Sequence, residues 1–218
     1  MTVRVTLVSP AMNAALREAR FDGDAPLDRA GERSARSAAP AVPRSGAVLS
    51  GPSERCLGTA AALGLAARAE PALTGWDLGR WSGRRLDEVG AAEPDAVAAW
   101  IGDPSAAPHG GESLRTLVER VGDWLDGTGG ADGPGAGDPL GAGDGPGAGG
   151  GGVLAVAEPA VVRAAVVHAL ALPVEAFWRL DVAPLVLTEL SGRPGRWNVR
   201  LGRPLAAPPE APAAPQDS

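Results

Sequence analysis

The chain opens on an apolar, largely β-branched run, Val3-Arg4-Val5-Thr6-Leu7-Val8, which stops at Ser9-Pro10-Ala11. A short run of this kind closed by Ser-Pro predicts a buried strand that delivers the chain into a loop. The pattern then recurs. Gly46-Ala47-Val48-Leu49-Ser50 and Val153-Leu154-Ala155-Val156-Ala157 are two further apolar runs, and each ends in a turn followed by helical spacing. After the first of these, Ser53 is placed as an N-cap, with Leu57, Ala60, Ala61 and Leu65 forming the apolar stripe. After the second, Pro159 suits the first turn of a helix from about Ala160 to Leu170. Strand, turn and helix in that order are the rhythm of a parallel sheet.

The intervening segments fill in the layers. An alanine-rich helix is predicted from about Asp28, its N-cap, to Ala39, ending near Pro40 and Pro43. Glu93 to Trp100 and Glu112 to Leu125 read as helices, the second carrying Leu114, Leu117, Val118, Val121 and Leu125 at helical spacing. Pro173 to Leu180 adds a short helix, and Leu185–Leu190 with Trp197–Leu201 a closing hairpin across Ser191 to Gly195. Leu73 to Gly83 reads as a structured loop. The expected fold is α/β, a three-layer α/β/α sandwich around a mostly parallel sheet, with one domain over residues 1–202.

Composition changes this picture in two places. From Gly127 to Gly152 the chain is almost wholly Gly, Ala, Asp and Pro, which cannot bury enough apolar surface to offset its ordering entropy. That segment is expected to be a disordered insertion, and the Pro/Ala-rich tail over 203–218 to be disordered as well. The formal charge of −6 and the lack of a basic run argue against nucleic acid as a partner. No apolar stretch approaches a membrane span, and the single Cys56 fits a reducing compartment, so the expectation is a cytoplasmic protein with no membrane partner. His109 and His168 are the two histidines. No Cys/His cluster has metal-ligand spacing, so no metal and no cofactor are expected.

In an open α/β sheet the active crevice lies beyond the carboxyl ends of the strands. The landmarks there are Ser50-Gly51-Pro52-Ser53-Glu54-Arg55, Asp77-Leu78-Gly79-Arg80-Trp81-Ser82-Gly83, Pro108-His109-Gly110-Gly111-Glu112-Ser113 and Val162-Arg163, together with Phe21, Gly23, Pro26-Leu27 and Gly31. In this order the chain, from about Val3 to Leu201, resembles the histidine phosphatase superfamily, with its phosphoglycerate-mutase-like fold, and within it the broad-specificity and α-ribazole-phosphatase-like branch. The resemblance implies a nucleophilic histidine in an Arg-His-Gly triplet after the first strand. It also implies a phosphate-holding arginine after the second strand, a proton-donating glutamate before the Phe-Gly-x-Trp loop, and a second histidine after the late strand.

Carried onto this chain, the triplet falls on Ser9, Pro10 and Ala11, the proton donor on Gly75 and the second histidine on Glu158; Arg55 alone stands as the family has it. Proline offers no nucleophile, and Ser9 has no histidine placed to activate it. The expectation is a catalytically degenerate member that acts by binding a small molecule or a protein, a second copy of the chain included, with Arg55, Glu158, Ser9 and His109 as the ligand-binding candidates. Glu158 is further expected to pair with Arg55 in place of the phosphate and leave the site roughly neutral. The alternatives are a divergent phosphomonoesterase of weak or altered activity, with a link to cobalamin metabolism implied by the α-ribazole likeness, and a purely structural subunit. His109 is read as a loop-surface residue and His168 as a core or boundary one. Trp76 and Trp81 are read as packing on the sheet edge, Asp77 as a loop acceptor and Arg163 as structural.

Overall fold

The structure, a computed structural model, describes residues 2–21, 23–128 and 152–205. Six strands form one sheet in the order β3-β2-β4-β1-β5-β6. They are β1 (Val3–Val8), β2 (Ala47–Ser50), β3 (Arg68–Ala69), β4 (Val153–Val156), β5 (Val186–Arg193) and β6 (Arg196–Pro204). The three apolar runs become β1, β2 and β4, which lie side by side and parallel. β3 extends this parallel set, while β5 and β6 add antiparallel on the other edge.

Alternation along the strands sends side chains to two faces, and both are covered. Val5 and Leu7 of β1 with Val153 and Ala155 of β4 pack against α6 (Leu114–Gly127) and α7 (Pro159–Ala169). Val8, Leu154 and Val156 pack on the opposite face against α2 (Arg29–Ala38) and α3 (Glu54–Ala62). This is the three-layer sandwich. Asp28 caps α2, Ser53 caps α3 and Ser113 caps α6, each side chain accepting a hydrogen bond from the first turn.

Three short helices lie outside these layers: α1 (Ala14–Arg17), α4 (Leu86–Ala92) and α5 (Pro94–Gly102). α4 and α5, with the loop over residues 73–83, enclose a third, aromatic cluster of Phe21, Trp76, Trp81, Trp100 and Trp178 beyond the sheet. No helix among the described residues is long and apolar enough to cross a membrane.

Two boundaries differ from the expectation. β6 runs through Arg203 to Pro204, and Leu205 is buried beside Leu187 with its amide donating to the carbonyl of Leu185 (2.9 Å), so order continues past the start of the expected tail. The strand is held by backbone pairing that the Pro/Ala composition does not disclose. The glycine-rich segment is likewise shorter than its composition suggests. α6 continues to Gly127, Thr128 is buried, and the carbonyl of Gly152 accepts from the amides of Gly46 and Ala47 (3.1 Å each). Residues 129–151 and 206–218, on which the expectation of disorder falls, lie outside the described residues.

Candidate functional site

Parallel neighbours β2 and β4 end at the same level, the amide of Gly51 donating to the carbonyl of Val156 (2.8 Å), and β1 ends beside β4 with the amide of Ala157 on the carbonyl of Val8 (3.0 Å). The first turn of α3 therefore opens next to the first turn of α7. That adjacency places Arg55, in the first turn of α3, against Glu158, the residue that begins α7.

The two side chains pair. Arg55 donates from Nη2 to Oε2 of Glu158 and from Nε to Oε1 (3.3 Å). The Ser53 hydroxyl also donates to Oε1 (2.9 Å), while accepting the amide of Cys56 to cap the helix. Both members are shielded, with side-chain exposures of 2% for Arg55 and 6% for Glu158. A buried arginine without an anion would be costly, and a carboxylate engaged through two guanidinium nitrogens satisfies it. Next to them the Cys56 thiol has its pKa pushed well up, chiefly by burial and then by the Glu158 charge, which makes it an inert core group rather than a nucleophile.

The pair forms part of the wall of a cavity of about 690 Å³. Gly75, Trp76, Asp77 and Leu78 close one side, Pro159, Ala160 and Arg163 of α7 another, and Leu16, Gly23 and Asp24 the rim. Arg55, Glu158 and Gly75 thus meet at one cavity. Ser9, Pro10 and Ala11 are not among its lining residues. The Ser9 hydroxyl donates to the carbonyl of Ala183 (2.5 Å) and accepts the amide of Val186 (3.0 Å), so it tethers the end of β1 to the chain entering β5. The Ala11 amide donates to the hydroxyl of Thr59 (3.1 Å).

His109 is not a surface residue. It is 1% exposed and stands in the aromatic cluster, 5.1 Å from Trp81, 6.4 Å from Trp76 and 6.5 Å from Trp100 between ring centroids. Of the two glycines after it, Gly111 packs closely, a Cβ there standing 2.2 Å from the carbonyl oxygen of Asp77, while Gly110 turns the chain at φ +80° in open space. Gly79 at φ +47° lies so near that a Cβ there would stand 2.3 Å from the carbonyl oxygen of His109. Nδ1 of His109 accepts the amide of Gly111 (3.1 Å), which leaves the proton of a neutral ring on Nε2. Burial lowers the pKa of the ring, and among the described residues Nε2 has no hydrogen-bond partner.

Other residues fall as follows. Asp77 accepts the amide of Gly79 (2.9 Å), the loop role assigned to it. Trp81 is buried, whereas Trp76 lines the cavity with its indole N–H donated to the carbonyl of Glu112 (2.7 Å). His168 is half-buried and bonded through Nε2 to Asp126 (3.0 Å), whose other oxygen accepts from Trp197 (2.9 Å). Arg163, read as structural, sits on the cavity wall, a position that sequence spacing alone gave no reason to prefer.

A mycobacterial glucosyl-3-phosphoglycerate phosphatase solved with VO3 is 25% identical, with a TM-score of 0.75 over 93% of this chain and 99% of that one. The α-ribazole phosphatase of Shigella flexneri shares the fold at 18% identity, with a TM-score of 0.75 over 96% and 100% of the two chains. In sequence, the bifunctional protein Rv2228c of Mycobacterium tuberculosis is 33% identical over 106 residues, 45% of this chain. The match spans 29% of that relative's length. The family model of the histidine phosphatase superfamily (branch 1) matches residues 11–203, and the chain belongs to that family.

Proposed function

We propose that this protein binds a small ligand in its crevice without transferring a phosphoryl group, as a catalytically degenerate member of its family. The observation that supports this reading is the buried pair of Arg55 and Glu158. A phosphate reaching Arg55 would have to displace a carboxylate already bonded to it and would then face that carboxylate at close range, a like-charge contact in a shielded setting. The chemistry around the pair agrees. Position 10 is a proline, the Ser9 hydroxyl is engaged by backbone groups, and Gly75 has no acid to give a leaving group. The cavity of about 690 Å³ is of the size that small-molecule sites take.

Family membership and the phosphatases among the neighbours favour a second reading, a divergent phosphomonoesterase of weak activity. One assay separates the two. The purified chain is incubated with p-nitrophenyl phosphate, and the protein is examined for a trapped phosphoenzyme, with a ligand thermal-shift screen alongside. The expected result is no turnover above background, no phosphoenzyme, and stabilisation by a ligand. Turnover that disappears in Arg55→Ala would overturn the proposal in favour of the phosphatase.

A further inference from the structure

Arg163 is the cavity cation that the protein leaves incompletely paired. It follows Glu158 by little more than one turn of α7, yet its surroundings are the reverse of those of Arg55. Its side chain is 29% exposed, and its contact with Asp181 is long, 3.9 Å, to a carboxylate that is 100% exposed. Water and salt screen such a contact to little. Nε of Arg163 is buried and has no hydrogen-bond partner among the described residues. Burial lowers the pKa of the guanidinium, with Asp181 only partly opposing, as for a cation short of compensation.

What fixes Arg163 is aromatic. Its guanidinium carbon stands 5.6 Å from the centroid of Phe177, and Phe177 meets Trp76 edge-on at 5.4 Å. Cation and indole, on two sides of the cavity, are thus linked through one ring. Leu16, Leu78 and Ala160 add apolar surface to the lining. The other cavity cation, Arg55, is already matched by Glu158, and Asp24 and Asp77 add negative charge near the rim. A dianion would meet these carboxylates with one incompletely paired arginine to hold it, whereas a monoanion matches the arginine charge for charge.

The geometry points to Arg163 as the anion-holding residue of the cavity, taking the carboxylate of a small monocarboxylate whose apolar or aromatic body rests against Trp76 and Leu78. This rests on the binding role proposed above and names the class of ligand for it. The anion locus has moved along α7, from the helix start, where Glu158 now neutralises it, to a residue further along the same helix. The exposed part of the guanidinium supplies N–H donors suited to a carboxylate.

The test is titration of the full chain with phenylacetate and with phenyl phosphate by calorimetry, repeated on Arg163→Met, with the Nε–Hε resonance of Arg163 followed in the wild-type protein. The expected result is saturable binding of phenylacetate, at least tenfold weaker binding by Arg163→Met, weaker binding of phenyl phosphate, and a shift of the Arg163 resonance on titration. Absence of saturable phenylacetate binding, equal binding by Arg163→Met, or an unmoved resonance would overturn the inference. The resonance decides the matter should Arg163→Met fail to fold. Hydrolysis of phenyl phosphate would instead overturn the non-catalytic reading, so the two failures are distinguishable.

Discussion

A Cβ added to Gly75 would lie 3.4 Å from Cγ of Glu158, so the loop backbone rests directly on the methylenes of the residue that neutralises Arg55. The absence of a side chain at position 75 and the presence of a carboxylate at position 158 are thus one packing arrangement. Gly75→Ala needs only a small adjustment and is expected to keep the melting temperature within about 3 °C, the equivalent of about 1 kcal/mol in a chain of this size. Gly75→Glu places a second carboxylate against Glu158. Like charges disfavour joint ionisation, so this variant is expected to lose stability near neutral pH and to recover part of it as the pH falls and one carboxyl is protonated. Thermal unfolding of both variants between pH 5 and 8 checks this. A Gly75→Glu protein as stable as the wild type at neutral pH would mean that the added carboxylate points elsewhere.

The Arg55–Glu158 pair makes a prediction about anions. Glu158→Gln leaves a buried guanidinium without its counter-charge, and removing one member of a buried pair costs about 3 kcal/mol. The variant should therefore unfold earlier in urea and should gain stabilisation by sulfate or phosphate that the wild type does not show. The double variant Arg55→Met with Glu158→Leu, which removes both charges, is expected to recover much of the loss. Unchanged stability of Glu158→Gln together with no anion response would show the pair to be energetically idle.

His109 makes the fold sensitive to acid. Burial holds its folded-state pKa below the value of about 6.5 of an unfolded chain, so between the two values the unfolded state binds more protons. The contribution of neutral His109 is present in full above about pH 6.5 and is lost as the pH falls through the lower folded value. Protonation would also place a second N–H on Nδ1, where the Gly111 amide now donates. His109→Phe keeps an aromatic ring in the cluster and removes the titration. Its melting temperature is expected to fall less than that of the wild type between pH 7.5 and pH 5. Parallel slopes for the two proteins would remove His109 as the source.

Gly122 of α6 stands against His168 of α7: a Cβ at position 122 would be 2.2 Å from Nδ1 of the ring. Gly122→Ala must push His168 away from Asp126, the residue that also accepts from Trp197. Overpacking of this kind costs about 1–3 kcal/mol. In Gly122→Ala combined with His168→Ala the clash is gone, and the two losses should be clearly less than additive. Additive losses in a double-mutant cycle by urea unfolding would place the strain somewhere other than this contact.

Much of the site was legible because it follows from strand ends. Val3–Val8, Ala47–Ser50 and the apolar run at Val153 announce parallel neighbours, and residues one turn beyond adjacent parallel strands have to meet. Arg55 and Glu158 are such residues. His109 was misread because its signal is local and its environment is not. The Gly110-Gly111 pair after it looks like a surface turn, while Trp76 and Trp81 from one loop and Trp100 from α5 close over it. Arg163 has the same difficulty, since only the folded position of Phe177 and the weak pairing to Asp181 distinguish it from an ordinary helix arginine. β3 has two residues, both exposed, and leaves no periodic trace; α4 is seven residues long and buries one of them.

The chain enters β4 at Gly152, whose carbonyl is held by the amides of Gly46 and Ala47, and leaves α6 at Thr128, whose hydroxyl donates to the carbonyl of Leu125 (2.6 Å). The Gly152 anchor belongs to the amino end of β4, and the cavity belongs to its carboxyl end, about 13 Å away for four extended residues. The junction at Gly152 is thereby set a strand's length from the pair of Arg55 and Glu158. A fluorophore or a link to a solid support attached at that junction would report on or immobilise the protein from the end of β4 remote from Arg55 and Glu158.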